Sequence, residues 1–571
     1  MTSPSPRTAL DDRQAFLLGR LIWLAICAAV VLVYLPGLHA PFVYDDKIEV
    51  VGNATIRDLG QWRAIVGYNV SRLLLVTTYA WNYQLWGLDP TGYHLVTLGI
   101  HLLGIAAAMW LAEGIGRLAD IDRPIRTGGV AVAAWALHPM TTEAVTYTTG
   151  RSESLCGLFC FSALGAWAWA MLARRQGNLR ATRWLRLVAF TATIAALLSK
   201  EVGAMVPAAL LAMELLLGRQ GEGHPKESLA TRALWSIPFL VLLIAAAWAR
   251  LEFAGELLPR EVDRPLGTQL LTQTAVWLRY VQLWVLPVGQ TLFHHQTDLS
   301  PQQLSSWAWF AGWLTMLGAA AWWSRSRPAV AWALVAGALF LVPSSSVVPL
   351  KENMAEHRAY VLGLYLYLAL VWSLTPRHLP RSVVALVLIL LSVATVQRNR
   401  VWASETALWQ EATRHNPEVA EAWYGLGDAL RFEGHFDQAA EAYEQCLELD
   451  ESYLDAWNNL GIARAETGDD AGARQAWRSA LRHGPSYCSA HNNLGFMAYR
   501  QQEWNEALTE LRTSLAYCPR DVVAHYGLGN IYAGPRFDRT RAIHHFESAL
   551  EIDPDFDKAA AIRERLLELT W

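Results

Sequence analysis

Two adjacent carboxylates, Asp45 and Asp46, close the stretch Phe42-Val43-Tyr44-Asp45-Asp46, directly after the first long apolar run, Leu17 to Leu38. A membrane edge is a costly place for anions unless they face water, pair, or do chemistry. Further polar groups recur where apolar runs end. They are His94; His138-Pro139 with Glu143; Gly150-Arg151-Ser152-Glu153; Ser199-Lys200-Glu201; and, between Pro343 and Tyr360, Ser344-Ser345-Ser346, Lys351-Glu352-Asn353 and Glu356-His357-Arg358. Gathered on one face, these are the parts of a transfer reaction. Asp45 or Asp46 accepts a proton from an attacking hydroxyl. Arg151, Lys200, Lys351, His357 and Arg358 stabilise charge developing on a leaving phosphate. His94, His138, Glu143, Glu153, Glu201 and Glu352 are supporting polar groups. Plainer readings stand beside this one: a polar loop around Asp45, a tight hairpin with a Lys200–Glu201 ion pair, and packing roles for His94 and His101, two turns apart on one face. No three-residue set has metal-ligand spacing, and no cofactor is indicated.

The chain that must position these groups has 571 residues, too many for one compact core, so at least two domains are expected. Hydrophobic residues make up 53% and Trp alone numbers 27. The mean hydropathy of +0.18 is too low for a pure membrane protein and too high for a soluble one. The apolar content is therefore uneven. Up to about Val396, long apolar runs alternate with short polar links; beyond Arg398 the chain is polar and helix-periodic. Residues 1–16 form a polar N-terminal tail, and the run from 17 reads as an uncleaved anchor. Further candidate spans fall at about 92–114, 127–147, 153–173, 184–199, 202–218, 232–250, 305–324, 329–343, 358–374 and 381–397, which with the first makes about eleven across a 17–397 membrane domain. The segment 269–287 is apolar but carries Gln273, Arg279 and Gln282, which suits a re-entrant piece.

Positive-inside counting separates the choices. Arg117, Arg123 and Arg126, then Arg174, Arg175, Arg180, Arg183 and Arg186, then Arg219, Lys226 and Arg232, then Arg325 and Arg327, then Arg377 and Arg381, all fall on the cytoplasmic side only if 269–287 does not cross. The expected consequence is one shared outer face for Asp45-Asp46, Ser199-Lys200-Glu201, 251–304, 344–357 and everything after the last span. That face is the periplasm if the membrane is a bacterial inner membrane, the expectation from short loops and Ala/Arg/Trp-rich composition, or a lumen in an endomembrane. The net charge of −4, without a basic stripe, excludes a nucleic-acid binder.

From 398 to 571 the chain repeats. Trp423, Trp457, His491 and His525 recur every 34 residues, followed by Gly427, Gly461, Gly495 and Gly529. Ala439, Ala473 and Ala507, then Tyr443, Trp477, Leu511 and Phe546, then Pro485, Pro519 and Pro554 complete a tetratricopeptide pattern. Repeats are expected at 420–453, 454–487, 488–521 and 522–555, after a half-repeat at 402–417 and before a capping helix at 556–570. Such arrays are all-α solenoids whose concave surface takes extended peptides, with spacer or oligomerisation platform as the alternative. Trp423, Asn458, Asn459, Asn492, Asn493 and Asn530 are the acceptor-binding candidates on it. The six Cys include no CxxC. Cys156 and Cys160 lie one turn apart in an apolar run and read as core. Cys488 and Cys518, at the two ends of one helix pair, are either a disulfide or two free thiols.

Phe42-Val43-Tyr44-Asp45-Asp46, Gly92-Tyr93-His94-Leu95-Val96, Ala136-Leu137-His138-Pro139, Glu143-Ala144-Val145, Gly150-Arg151-Ser152-Glu153, Ser199-Lys200-Glu201 and Arg358-Ala359-Tyr360 resemble, in this order and with repeats following, the multispanning GT-C type glycosyltransferases. More closely, they resemble the transmembrane-and-tetratricopeptide-repeat O-mannosyltransferases and their bacterial relatives. The resemblance covers nearly the whole chain. It implies a polyprenyl- or dolichyl-phosphate sugar donor, a Ser or Thr hydroxyl of a protein as acceptor, and inversion at the anomeric carbon. It also implies an acidic pair in the first outer loop whose first member, here Asp45, is the base, with Asp46 beside it. Phosphate then leaves toward some of Arg151, Lys200, Lys351, His357 and Arg358. An enzyme of the same fold acting on a lipid or envelope glycan, and a non-enzymatic membrane-anchored scaffold, are the alternatives.

Overall fold

The computed structural model describes residues 6–218, 237–254, 264–295, 297–343, 350, 352–374 and 380–570. The described residues are helical, with no strand among them, and divide into two units, 1–408 and 409–571.

The first unit is a bundle built on α1 (Pro6–Tyr34), α2 (Trp62–Tyr68), α3 (Leu73–Trp86), α4 (Pro90–Leu118), α5 (Pro124–Ala136), α6 (Thr142–Val145), α7 (Arg151–Arg175), α8 (Leu179–Leu197), α9 (Val206–Leu217), α10 (Ile237–Ala254), α11 (Leu266–Val285), α12 (Leu304–Ser326), α13 (Pro328–Leu341), α14 (Tyr360–Leu374) and α15 (Arg381–Trp402). Among the described residues, four stretches are long and apolar enough to cross a bilayer: Leu17–Gly37, Pro90–Leu118, Arg151–Arg175 and Arg381–Trp402. Ile237–Ala249 and Pro328–Leu341 are apolar but shorter. A large apolar core runs through the bundle, and a smaller one gathers Val50, Ile56, Ile65, Val76, Tyr79 and Tyr93. Three buried indoles of the large core find a carbonyl: Trp135 donates to Tyr360 O at 3.0 Å, Trp332 to Ala209 O at 3.2 Å and Trp284 to Ala359 O at 3.1 Å.

The bundle has two distinct ends. At the near end Arg175 donates to Leu118 O and Leu217 O, tying α4, α7 and α9, and Arg327 donates to Ser373 O, tying the α12–α13 link to the end of α14. At the far end Asn399 donates to Val33 O, Thr146 bonds Asn399, and the Leu74 N–H donates to Leu198 O.

Two elements depart from a simple run of spans. The expected helix over 127–147 stops at Ala136, because Pro139 has no N–H and forces His138 to extended geometry (φ −84°, ψ 138°). Residues 138–150 become a broad far-end turn containing α6. The 269–287 segment is helical without a break up to Val285, in α11, but the chain then returns beside it. Leu299 N–H donates to Thr272 Oγ1 at 2.9 Å, and Asp298 pairs with Arg264 at 2.9 Å. Residues 264–303 thus begin and end at the same end of the bundle.

In the second unit the 34-residue period has a simple physical reading. Trp423, Trp457, His491 and His525 each hydrogen-bond, through a ring N, with the carbonyl six residues earlier: Pro417, Glu451, Pro485 and Pro519, at 2.9, 2.8, 3.1 and 3.4 Å. An indole or imidazole serves; an aliphatic residue could not. A Cβ on Gly461 would stand 2.3 Å from the Trp477 ring, so only Gly lets the paired helices approach. Cys488 and Cys518 are joined as a disulfide, with a Cα–Cα distance of 6.5 Å. Cys156 and Cys160 are both buried, their sulfurs 3.8 Å apart.

Candidate functional site

Tyr44 adopts a left-handed conformation (φ 48°), which turns the chain sharply and sends the two carboxylates of the doublet into different surroundings. Asp46 is 1% exposed. It accepts the Thr149 N–H at 2.7 Å, the Thr149 hydroxyl at 2.6 Å and the Val43 N–H at 3.4 Å. Burial pushes its carboxyl up to about 7, against the hydrogen bonds from Thr149, Val43 and Thr148.

Asp45 faces solvent. Its N–H donates to the Tyr147 hydroxyl at 3.2 Å, and its carbonyl accepts from Ile48 and Glu49, opening the π-helical turn Lys47–Val51. Among the described residues no Lys, Arg or His forms an ion pair with it. Although the side chain reaches water, the protein atoms around it raise its pKa by desolvation. The Glu352 charge, and more weakly Glu49, add to that; a Tyr147 hydrogen bond and Arg72 act against it.

Residues 352–358 reach the loop that carries this doublet. Tyr44 OH donates to Glu352 at 2.6 Å, and Arg358 donates to Glu352 O at 2.9 Å. His357 is held by Glu143 twice, ring to Oε1 at 2.6 Å and backbone N–H to Oε2 at 3.2 Å. Burial, then Lys200, holds the His357 imidazole well below its ordinary value, so it is neutral near pH 7. The buried Glu356 accepts from Gln290, Thr291 and His294. Lys351 lies outside the described residues.

Other expected site residues serve the fold. Arg151 is fully buried and engaged at all three nitrogens, by Thr97 (2.9 Å), Thr78 (3.1 Å), Asn82 (2.7 Å) and Tyr93 O (2.7 Å), with its guanidinium over the Tyr79 and Tyr93 rings. Lys200 is also buried and pairs with Glu153 at 2.9 Å, 47 residues back in the chain, with Ser152 at 3.4 Å. Glu201 opens the short 3-10 turn Glu201–Met205 beside it. His94 bonds Ala40 O at 2.9 Å, and His138 takes the Met140 N–H at 3.1 Å while packing on Trp284. These residues build the wall on which the doublet rests.

Sequence reasoning missed Tyr147 and Arg72. Tyr147 carried a faint signal, sitting four residues beyond Glu143. Arg72 carried none, standing in an unremarkable polar turn. No group of three or more His, Cys, Asp or Glu among the described residues is arranged to hold a metal ion.

In the repeat unit Asn459 donates to Asp428 at 2.9 Å, Asn458 to Asn459 at 3.1 Å, Asn493 to Asn458 at 2.7 Å and Asn492 to Asp521 at 2.7 Å. Asn458, Asn459 and Asn492 are under a tenth exposed. These side chains form a rung-to-rung ladder joining three successive inner helices. Trp423 and Asn530 are half-buried.

Two comparisons bear on the repeats, which match the tetratricopeptide repeat family over 420–453 and 396–433. Three quarters of the chain is similar to a protein O-mannosyl-transferase of Caenorhabditis elegans, 25% identical over 461 residues, covering 75% of this chain and 63% of that one. It is also similar to the human protein O-mannosyl-transferase TMTC3, 24% identical over 481 residues, covering 74% of this chain and 50% of that one. The chain thus spans about half to three fifths of the length of the curated relatives it matches. Among solved structures, the crystal structure of MamA matches 27% of this chain and 89% of its own, at 22% identity and a TM-score of 0.24.

Proposed function

We propose that this chain is a membrane glycosyltransferase that moves a sugar, mannose by its likeness to the relatives above, from a polyprenyl-phosphate donor to a hydroxyl of a protein acceptor. The Ser or Thr oxygen attacks the anomeric carbon as the bond from that carbon to the phosphate oxygen breaks. The electron pair leaves with the phosphate, the hydroxyl proton passes to Asp45, and the anomeric centre inverts. Asp46 holds the Asp45 turn against Thr149 and takes no proton from the acceptor.

The observation that carries this reading is the asymmetry inside the doublet: one carboxylate open and unpaired with any cation, its neighbour buried and fully hydrogen-bonded. A base must reach its proton, and only Asp45 can. The repeats bring the acceptor, and their groove side chains, Trp423 and the Asn ladder among them, contact it.

The far end of the bundle faces away from the cytoplasm, into the periplasm if the cell is bacterial. Supporting this, α1 leads from the near end to the far end, Arg175 and Arg327 lie at the near end, and α15 reaches the far end at Asn399. The Cys488–Cys518 disulfide fits an oxidising compartment. The test is sugar transfer in membranes carrying Asp45→Asn beside Asp46→Asn. The reading expects loss of transfer with normal insertion for the first, and a lower melting temperature with transfer retained in the folded fraction for the second.

A further inference from the structure

The leaving phosphate needs a cation with a free donor, and most cations near the doublet have none to give. Arg151 is engaged at every nitrogen, Lys200 is paired with Glu153, His357 is neutral and held by Glu143, Lys47 is paired with Glu405 at 2.7 Å, and Arg358 gives one nitrogen to Glu352 O. Arg72 differs. Among the described residues its guanidinium makes no hydrogen bond and no ion pair, although the residue is half-buried.

The local structure holds Arg72 in place from the backbone. It closes the short 3-10 turn Val70–Arg72, and the Leu74 N–H donates to Leu198 O at 2.8 Å, docking the turn beside Ser199-Lys200-Glu201. Glu201, Glu49, Tyr79 and Glu153 are the groups whose charges act on it. Glu153 is neutralised by Lys200, and Glu49 accepts the Tyr68 hydroxyl at 3.0 Å. The 198–201 strip on which this turn docks reaches through Lys200 to Glu153 and Ser152 at the start of α7, and Thr149, just before α7, holds Asp46. Arg72 is therefore joined to the end of the bundle that carries the doublet, its charge acts on Asp45 and His357, and no protein partner among the described residues takes up its planar fork of donors, a shape that suits a phosphate oxygen pair.

We propose that Arg72 binds the phosphate of the lipid-linked donor. This rests on the glycosyl-transfer reading and adds to it the residue that receives the leaving group. The test uses the full chain in lipid nanodiscs and measures binding of undecaprenyl monophosphate, with inorganic phosphate as a second probe. Wild type and Asp45→Asn are expected to bind the lipid phosphate equally, while Arg72→Gln binds about tenfold more weakly, the loss of a charge-assisted pair. Arg72→Lys keeps the charge but not the fork, and is expected to fall between them; it serves as the readout if Arg72→Gln lacks a cooperative unfolding transition. Unchanged binding in both Arg72 variants would overturn the assignment and leave the Asp45 chemistry standing. Inorganic phosphate binding as tightly as the lipid phosphate would overturn a lipid-borne ligand. No binding by wild type would overturn this assignment together with the reading it rests on.

Discussion

The buried carboxylate of Asp46 takes both the N–H and the hydroxyl of Thr149, at 2.7 and 2.6 Å, stapling the first far-end loop to the turn that opens α7. Removing Asp46 leaves both donors of the half-buried Thr149 without this acceptor, whereas removing the hydroxyl leaves Asp46 its backbone bonds to Thr149 and Val43; an unmet buried polar group costs about 1–3 kcal/mol. Asp46→Ala is therefore expected to lower the thermal stability of the purified chain. Thr149→Val, which keeps the shape and loses the hydroxyl, should cost less. Melting of both variants in the same detergent checks the order.

The groups around Asp45 make its titration adjustable in opposite directions. The Tyr147 hydrogen bond holds its pKa down and the Glu352 charge holds it up. A base acts when deprotonated, so the acid limb of the pH–rate profile follows this pKa. Tyr147→Phe removes a lowering influence and is expected to move the acid limb to higher pH. Glu352→Gln removes a raising one and should move it to lower pH. Rates of transfer from pH 4 to 8 would show the two shifts; shifts of the same sign would mean the limb belongs to another group.

How much of this was legible in the residues varies with how local the signal was. The repeats were readable because one position needs a ring N–H for a carbonyl six residues back and another needs Gly for close approach, and both recur every 34 residues. The doublet was readable because anions at a membrane edge stand out. The partners of the cations were not. Arg151 finds Asn82 and Tyr93, and Lys200 finds Glu153, at separations of 47 to 69 residues, where only the packing of α3, α4, α7 and the 198–205 turn decides who meets whom. The same blindness hid Arg72, whose significance is that others beside it are already engaged. The break in the 127–147 helix, by contrast, was written in His138-Pro139 and overruled by the apolar run around it.

The disulfide closes a loop across the third repeat. A bridge of this span is expected to contribute about 3 kcal/mol to the repeat unit. In denatured protein without reductant, maleimide labelling should find four reactive thiols, Cys27, Cys156, Cys160 and Cys446, and six after reduction. Six before reduction would place the repeats in a reducing compartment.

Gly461 sits against Trp477, whose indole N–H donates to Asn458 O at 3.0 Å. Gly461→Ala should displace the indole and break that bond, destabilising the repeat unit by roughly 1–3 kcal/mol. Limited proteolysis should then cut the repeats at lower temperature while the bundle remains protected.

The most direct measurement is the transfer of radiolabelled sugar from a polyprenyl-phosphate donor to the protein fraction of membranes containing the full chain or its Asp45→Asn variant at equal abundance. Loss of a positioned general base predicts a fall in rate of about 10²- to 10⁴-fold, with donor binding retained. A variant that transfers sugar at the wild-type rate would contradict the assignment of Asp45 as the proton acceptor.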